Sequence, residues 1–227
     1  MARKLSDPMS LPVGSTLVCS GLVNPRPLLT ATLLAFLAAG CAQVGSPAAA
    51  PVVGRAPDVP MVLESFDNAQ LSAAIFDETN RVRLAHGHKA LKPDSGLDAA
   101  ADEQATYTAL ALRAGHDNPM PAGKNVAERV AHQNVPVAYV GENSIMMGAV
   151  RPEGSNPYYG YREFAAMLVD GWMNSPEHRE NMLRDRFTEL GCAARLSHAF
   201  RQGDFRIFAI QVFARPPGQG VPGEVRP

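Results

Sequence analysis

The run FRIFAIQVF, residues 205 to 213, constrains the fold more than any other part of the chain. In a strand, successive side chains alternate between faces, so Phe205, Ile207 and Ala209 share one side and Phe208, Ile210 and Val212 the other. Both sides are apolar. Such a strand must be covered above and below, which calls for a layer of helices on each face of a sheet. Just upstream, Leu190, Cys192, Ala194 and Leu196 alternate with small or polar neighbours and predict a second strand. The short polar link between the two, residues 197 to 204, makes them an antiparallel hairpin. The expected class is therefore α+β, a three-layer α-β-α sandwich with a small antiparallel central sheet.

Apolar residues at helical spacing supply the outer layers. Leu71, Ala74, Ile75, Glu78 and Val82 trace one face of a helix over Asn68 to Ala85, with Gly87 just past its end. A second helix starts at Asp94 or Ser95 and carries Leu97, Ala101, Ala105, Thr108 and Leu112 on one face. The third, Tyr161 to Met173, has the strongest amphipathic stripe: Phe164, Met167, Leu168 and Trp172. These aromatics read as core. In GWMNSPEHRENML, Ser175 reads as an N-cap and Pro176 as the first helical residue, so His178 falls within one turn of a helix start. Between Ala114 and Gly160 the pattern loosens to a short helix, Lys124 to Ala131, and a Gly/Pro-rich loop. Glu128 and Arg129 are read on the solvated face of that helix, and Tyr158, Tyr159 and Tyr161 as flanking the loop, one of them anchoring it.

The flanks look different. LLTATLLAFLAAG, residues 28 to 40, is an apolar run too short to span a bilayer comfortably and of the length of a signal h-region. Residues 1 to 40 are set aside as a signal peptide. Ala38, Ala39, Gly40 and Cys41 resemble a bacterial lipobox, which makes Cys41 the expected lipidation site and a membrane the partner of the anchor. Ordinary signal-peptidase cleavage nearby is the alternative. Residues 41 to 61 then form the lipidated cysteine and a Pro/Ala-rich tether, 62 to 215 one domain, and 216 to 227 a Pro/Gly-rich tail. Of three cysteines only Cys192 falls in the domain, so no disulfide can brace it and stability must come from a packed core. A formal net charge of −1 lacks the basic excess of a nucleic-acid binder, and no nucleic-acid partner is expected.

Three residues stand out chemically. His116 lies in the turn-forming string GHDNP, Glu142 in GEN, and His178 at the helix start. A helix N-terminus opposes protonation of an imidazole, which suits His178 to be a neutral ligand or acceptor. If the three converge they suffice for a weak divalent-metal site, zinc being the natural candidate, or for an acid/base pair. Taken alone, each is more simply read as a hydrogen-bonded structural group. His86 and His88 form an H-x-H pair in a solvated turn, and His132 and His198 are read as exposed loop residues. No activated nucleophile is evident: GxSxG and HExxH are missing, and Cys192 sits mid-strand. Ser175 beside His178 suggests a nucleophile and base, but a capping hydroxyl points at backbone donors.

Asn80, Arg83, Gly87 and Leu91, then GHDNP, GEN, WMNSPEHRENML, FTELGCAA and AIQVFA resemble, in order and spacing, the bacterial branch of the CAP superfamily: cysteine-rich secretory proteins, antigen 5 and pathogenesis-related proteins. The resemblance covers about residues 70 to 214. It implies an α-β-α sandwich with a surface cleft lined by two histidines and two acidic residues, carried here by His116, Glu142 and His178. The second acidic position falls on Ser175, whose single neutral hydroxyl weakens any cation site. Similar proteins are mostly secreted, and some bind sterols or other lipids. The resulting expectation is an exported or envelope-anchored binding module for a lipid, a small amphipathic ligand or an envelope protein. The alternative is a metal-assisted hydrolase of peptides or envelope polymers, with His116 and His178 as ligands and Glu142 as ligand or base.

Overall fold

Helix α1, Asn68–Ala85, opens on Asp67, whose carboxylate accepts from the Gln70 amide, as a capping residue should. It closes on a Schellman turn. The His88 amide donates to the Arg83 carbonyl and the Gly87 amide to Leu84, with Gly87 at φ 80°, the left-handed geometry a glycine adopts without strain. After the two-residue strand β1, Lys92–Pro93, Asp94 caps α2, Ser95–Ala111. Leu112, expected on the buried helical face, instead ends that helix at φ 55°. The remaining elements are α3 (Val126–His132), β2 (Tyr139–Gly148), α4 (Tyr161–Met173), α5 (Pro176–Leu183), β3 (Glu189–Ser197) and β4 (Arg206–Arg215).

The computed structural model describes residues 58–121, 123–150, 158–197 and 204–218. The signal segment, Cys41, most of the tether, His198 and most of the tail lie outside them. Among the described residues no helix is long and apolar enough to cross a membrane.

The sheet runs β1-β3-β4-β2. The β3–β4 hairpin is antiparallel as expected, pairing Glu189 with Ala214 through Ser197 with Arg206. On its other side β4 pairs antiparallel with β2, and β1 adds a short parallel edge to β3. Every residue of β4 from Ile207 to Arg215 is buried, so the doubly apolar strand is indeed central. On one face Ile207, Ala209 and Phe213 pack under Leu71 and Ile75 of α1 and Phe164, Leu168 and Trp172 of α4. Across the sheet Ile210, Val212 and Ala214 pack against Leu97, Ala101 and Ala105 of α2 and Val130 of α3. Helices, sheet and helices form the three layers.

Two expectations are corrected. The segment read as irregular contains a full strand, β2, and Glu142 lies on it rather than in a loop. Its centre is buried yet polar, Glu142-Asn143-Ser144, which breaks the apolar alternation that marks a strand in sequence. The domain also begins before residue 62. Met61 is fully buried, its amide donates to the Tyr159 carbonyl, and Pro60 bridges Gly160. Asp58 then caps α4 from a distance, accepting from the Arg162 and Glu163 amides at 3.1 and 2.9 Å. Gly160 holds the N-cap position but has no side chain to do this, and a Cβ there would lie 2.1 Å from the Asp58 carboxylate. Tyr161 anchors the same corner, its hydroxyl accepting from the Asp67 amide.

Candidate functional site

Strand β2 is the outer edge of the sheet, and the two faces of the molecule meet there. On the α2/α3 face lies a charged trio. Glu142 is placed by β2, Arg129 by α3 and His116 by the loop after α2. His116 Nδ1 lies 2.9 Å from Glu142 Oε1, and Arg129 Nη2 lies 2.5 Å from Glu142 Oε2. Arg129 Nη1 also donates to the His116 carbonyl at 3.3 Å. The Glu142 side chain is 2% exposed and Arg129 0%, whereas His116 is 56% exposed. An ionised carboxylate only accepts, so His116 Nδ1 carries the proton and Nε2 is left as acceptor in the neutral ring or as a second donor in the cation. The loop is pinned by the Gly115 amide donating to Ser144 Oγ and the Gly115 carbonyl accepting from Gln104.

On the other side of the edge, α5 presents His178. Its position is fixed through a buried polar relay in which Asn143 Nδ2 donates both to the His178 carbonyl at 3.1 Å and to Gln211 Oε1 at 3.0 Å. Gln211 donates in turn to Thr79 Oγ1 on α1 at 2.7 Å, and Asn181 of α5 donates to Asn143 Oδ1 at 3.0 Å. Asn143, Gln211 and Thr79 are all fully buried. Buried amides must be satisfied, and here each satisfies the next.

The two imidazoles are driven apart electrically. The Glu142 hydrogen bond raises the pKa of His116, outweighing burial and the Arg129 charge. Burial first, and the neighbouring His116 second, lower that of His178. One imidazole is thus biased toward the charged donor and the other toward the neutral ring, a division that suits either polar recognition or proton transfer.

Some expected roles do not survive this geometry. Arg129 is not a solvated residue; it is the buried counter-ion of Glu142. Glu128 does remain exposed, accepting from the Lys124 amide and Asn125 at the start of α3. Ser175 takes the N-cap position of α5, but its hydroxyl makes no cap hydrogen bond. Pro176 follows it, and the Ser175 carbonyl accepts from the Arg179 amide. The three-ligand cation site does not fit either. Both oxygens of Glu142 are engaged, one by a guanidinium, and among the described residues no three His, Cys, Asp or Glu side chains are grouped to hold an ion. Solvent reaches the trio through the half-exposed His116 at the outer edge of the sheet. His88 pairs with Asp185 and His132 with Glu103, each away from the trio. Sequence reasoning missed Asn143, Asn181 and Gln211 as well; the only signal was a polar residue in an apolar strand, Gln211 within AIQVFA.

Residues 76–213 match the CAP family, described as the cysteine-rich secretory protein family. This chain belongs to the CAP family. The match takes in His116, Glu142, Ser175 and His178. No curated protein matches the chain. Similar folds include an extracellular protein containing an SCP domain from Bacillus anthracis, at 24% identity and TM-score 0.48, and a cysteine-rich secretory protein from Staphylococcus aureus, at 18% and 0.42. Each is matched over 65% of this chain, which spans only 41% and 39% of theirs. An outer surface protein of Borrelia burgdorferi, 16% identical with TM-score 0.48, is covered over 99% of its length by 70% of this chain.

Proposed function

We propose that this CAP domain is an exported, envelope-facing binding module that grips the polar head of a lipid, of a small amphipathic ligand or of an envelope protein at the β2 edge, and that it acts by binding rather than turnover. The observation that carries this reading is the arrangement of the trio. Glu142 is spent on holding Arg129 and orienting His116, so a half-exposed, readily protonated imidazole is presented beside a neutral one on a rigid support. The one cysteine of the described residues fits this reading. The Cys192 thiol is buried and its pKa is pushed well up, away from the reactive thiolate. Export is supported by the apolar run over residues 28 to 40 and by membership of a family named for secretion, and anchoring by Cys41.

The test is a calorimetric titration of the exported full chain with palmitate and with lysophosphatidylglycerol, repeated in His116→Ala and Glu142→Gln variants whose folding is checked by circular dichroism. Saturable binding that weakens about tenfold in the folded His116→Ala protein is expected, since a charge-assisted hydrogen bond is lost. Unchanged affinity in both variants removes the β2 edge from the account. Replacement of Cys41 by serine should release the protein from the membrane fraction, and retention there overturns the anchor.

A further inference from the structure

At the β3 side of the sheet the two helical layers leave a gap. β1 pairs with β3 only at Glu189 and Leu190, and its chain turns away into α2 at Asp94, so past Pro93 no strand separates α1 from α2 among the described residues. Short side chains line the gap. Ala69, Ser72, Ala73 and Phe76 follow helical spacing along α1, and Ala99 answers from α2. Of these only Phe76 is large, and a cavity of about 540 Å³ is left, within the range of small-molecule sites. The strand beneath is sealed, with Cys192 and Ala193 each 3% exposed, so the floor offers apolar surface rather than open backbone.

The rim of the cavity is acidic. Asp77 follows Phe76 on α1, and Asp98 and Asp102 lie one turn apart on α2. Arg195 is the one cation of these walls among the described residues, and it is already spent: it donates to Asp102 and, at 2.8 Å, to the Asn68 side chain turned so that its oxygen faces the guanidinium. Asp98 Oδ1 accepts from the Cys192 amide at 2.9 Å, but neither Asp98 nor Asp77 has an ion pair among the described residues. Two carboxylates thus stand beside apolar walls without a counter-ion. Both are exposed, as are Ala69 and Ala73, so a ligand reaches them without rearranging the fold. Partial burial, with the charge of Asp94 adding to it, raises the pKa of Asp98, and an arriving cation relieves that carboxylate. A fatty acid would bring its own carboxylate to this rim, and a bare metal ion would leave the apolar walls uncovered.

We propose that the cavity between α1 and α2 is a second ligand site, independent of the β2 edge, for a small organic cation with an apolar body, a primary alkylammonium or arylalkylammonium. The hydrocarbon part lies between Ala73 and Ala99 against the Phe76 ring and gains by leaving water, and the ammonium is held at the rim by the carboxylates of Asp77 and Asp98.

The full chain is titrated calorimetrically with n-octylamine hydrochloride, octan-1-ol and sodium octanoate, which share a chain and differ in the head, the folding of every variant being checked by circular dichroism. Saturable binding of octylammonium is expected, with octanol about tenfold weaker and the difference shrinking in high salt. Ala73→Trp, at an exposed position, should abolish binding of both by filling the cavity, while any uptake of octanoate at the β2 edge stays as it was. The paired substitution Asp77→Asn and Asp98→Asn keeps an acceptor for the Cys192 amide; it should weaken octylammonium about tenfold and leave octanol unchanged. His116→Ala should leave octylammonium binding intact. No saturable binding of octylammonium at millimolar concentration, affinity indifferent to Ala73→Trp, or octanol weakened as much as octylammonium by the paired substitution each overturns the proposal. So does octanoate binding that Ala73→Trp removes, and so does loss of octylammonium binding in His116→Ala, which moves the ligand to the β2 edge.

Discussion

Glu142 decides how the β2 edge behaves, because it touches both a buried and an exposed cation. The two contacts differ in weight. The Arg129 pair is out of water and losing one partner strands a buried charge, whereas the His116 pair is screened by solvent. Glu142→Gln should therefore destabilise the fold by about 3 kcal/mol in urea unfolding, and His116→Ala by less than about 1 kcal/mol. The imidazoles titrate oppositely. His116 holds its proton more tightly in the native state, so its contribution to stability is full below the ordinary value of 6.5 and fades as pH rises through its raised pKa. His178 prefers to be neutral, so its contribution is full above 6.5 and is lost as pH falls through its lowered pKa. Proton NMR should find the two midpoints on opposite sides of 6.5, with that of His116 dropping in Glu142→Gln. The sequence marked His116, Glu142 and His178 because their types and turn-forming neighbours are unusual. Arg129 escaped because a charged residue on a short helix is ordinarily solvated, and only the third dimension shows that β2 places a carboxylate beneath it.

At the scale of elements, periodicity was legible and buried polarity was not. α1 ends just before Gly87 as its spacing predicts, and β4 is central because both its faces are apolar. β2 was missed because Asn143 belongs to a relay whose other members, Thr79 and Gln211, lie far off in sequence. The start of α4 at Tyr161 was legible but its cap was not, since that comes from Asp58, more than a hundred residues upstream. Asp58→Ala should cost about 1 kcal/mol, the usual worth of an N-cap, and should lower the urea midpoint without changing its slope. Gly160→Ala should cost more, because the added methyl meets the very carboxylate that does the capping.

For the molecule as a whole, the three layers leave two dissimilar sheet edges, a polar one at β2 and an apolar, acid-rimmed one at β3. Neither assembles three free metal-binding side chains among the described residues. Millimolar zinc or a chelator should accordingly leave the melting temperature of the purified chain unchanged, since a ligand that bound only the native state would raise it. The corner formed by residues 58 to 61 has a mechanical side. A pull on the chain at residue 58 meets the Asp58 carboxylate and the Pro60–Gly160 bridge, both fastened to the head of α4. Such a load is thus borne by a helix end, and the β2 edge with its trio stays slack while it is pulled.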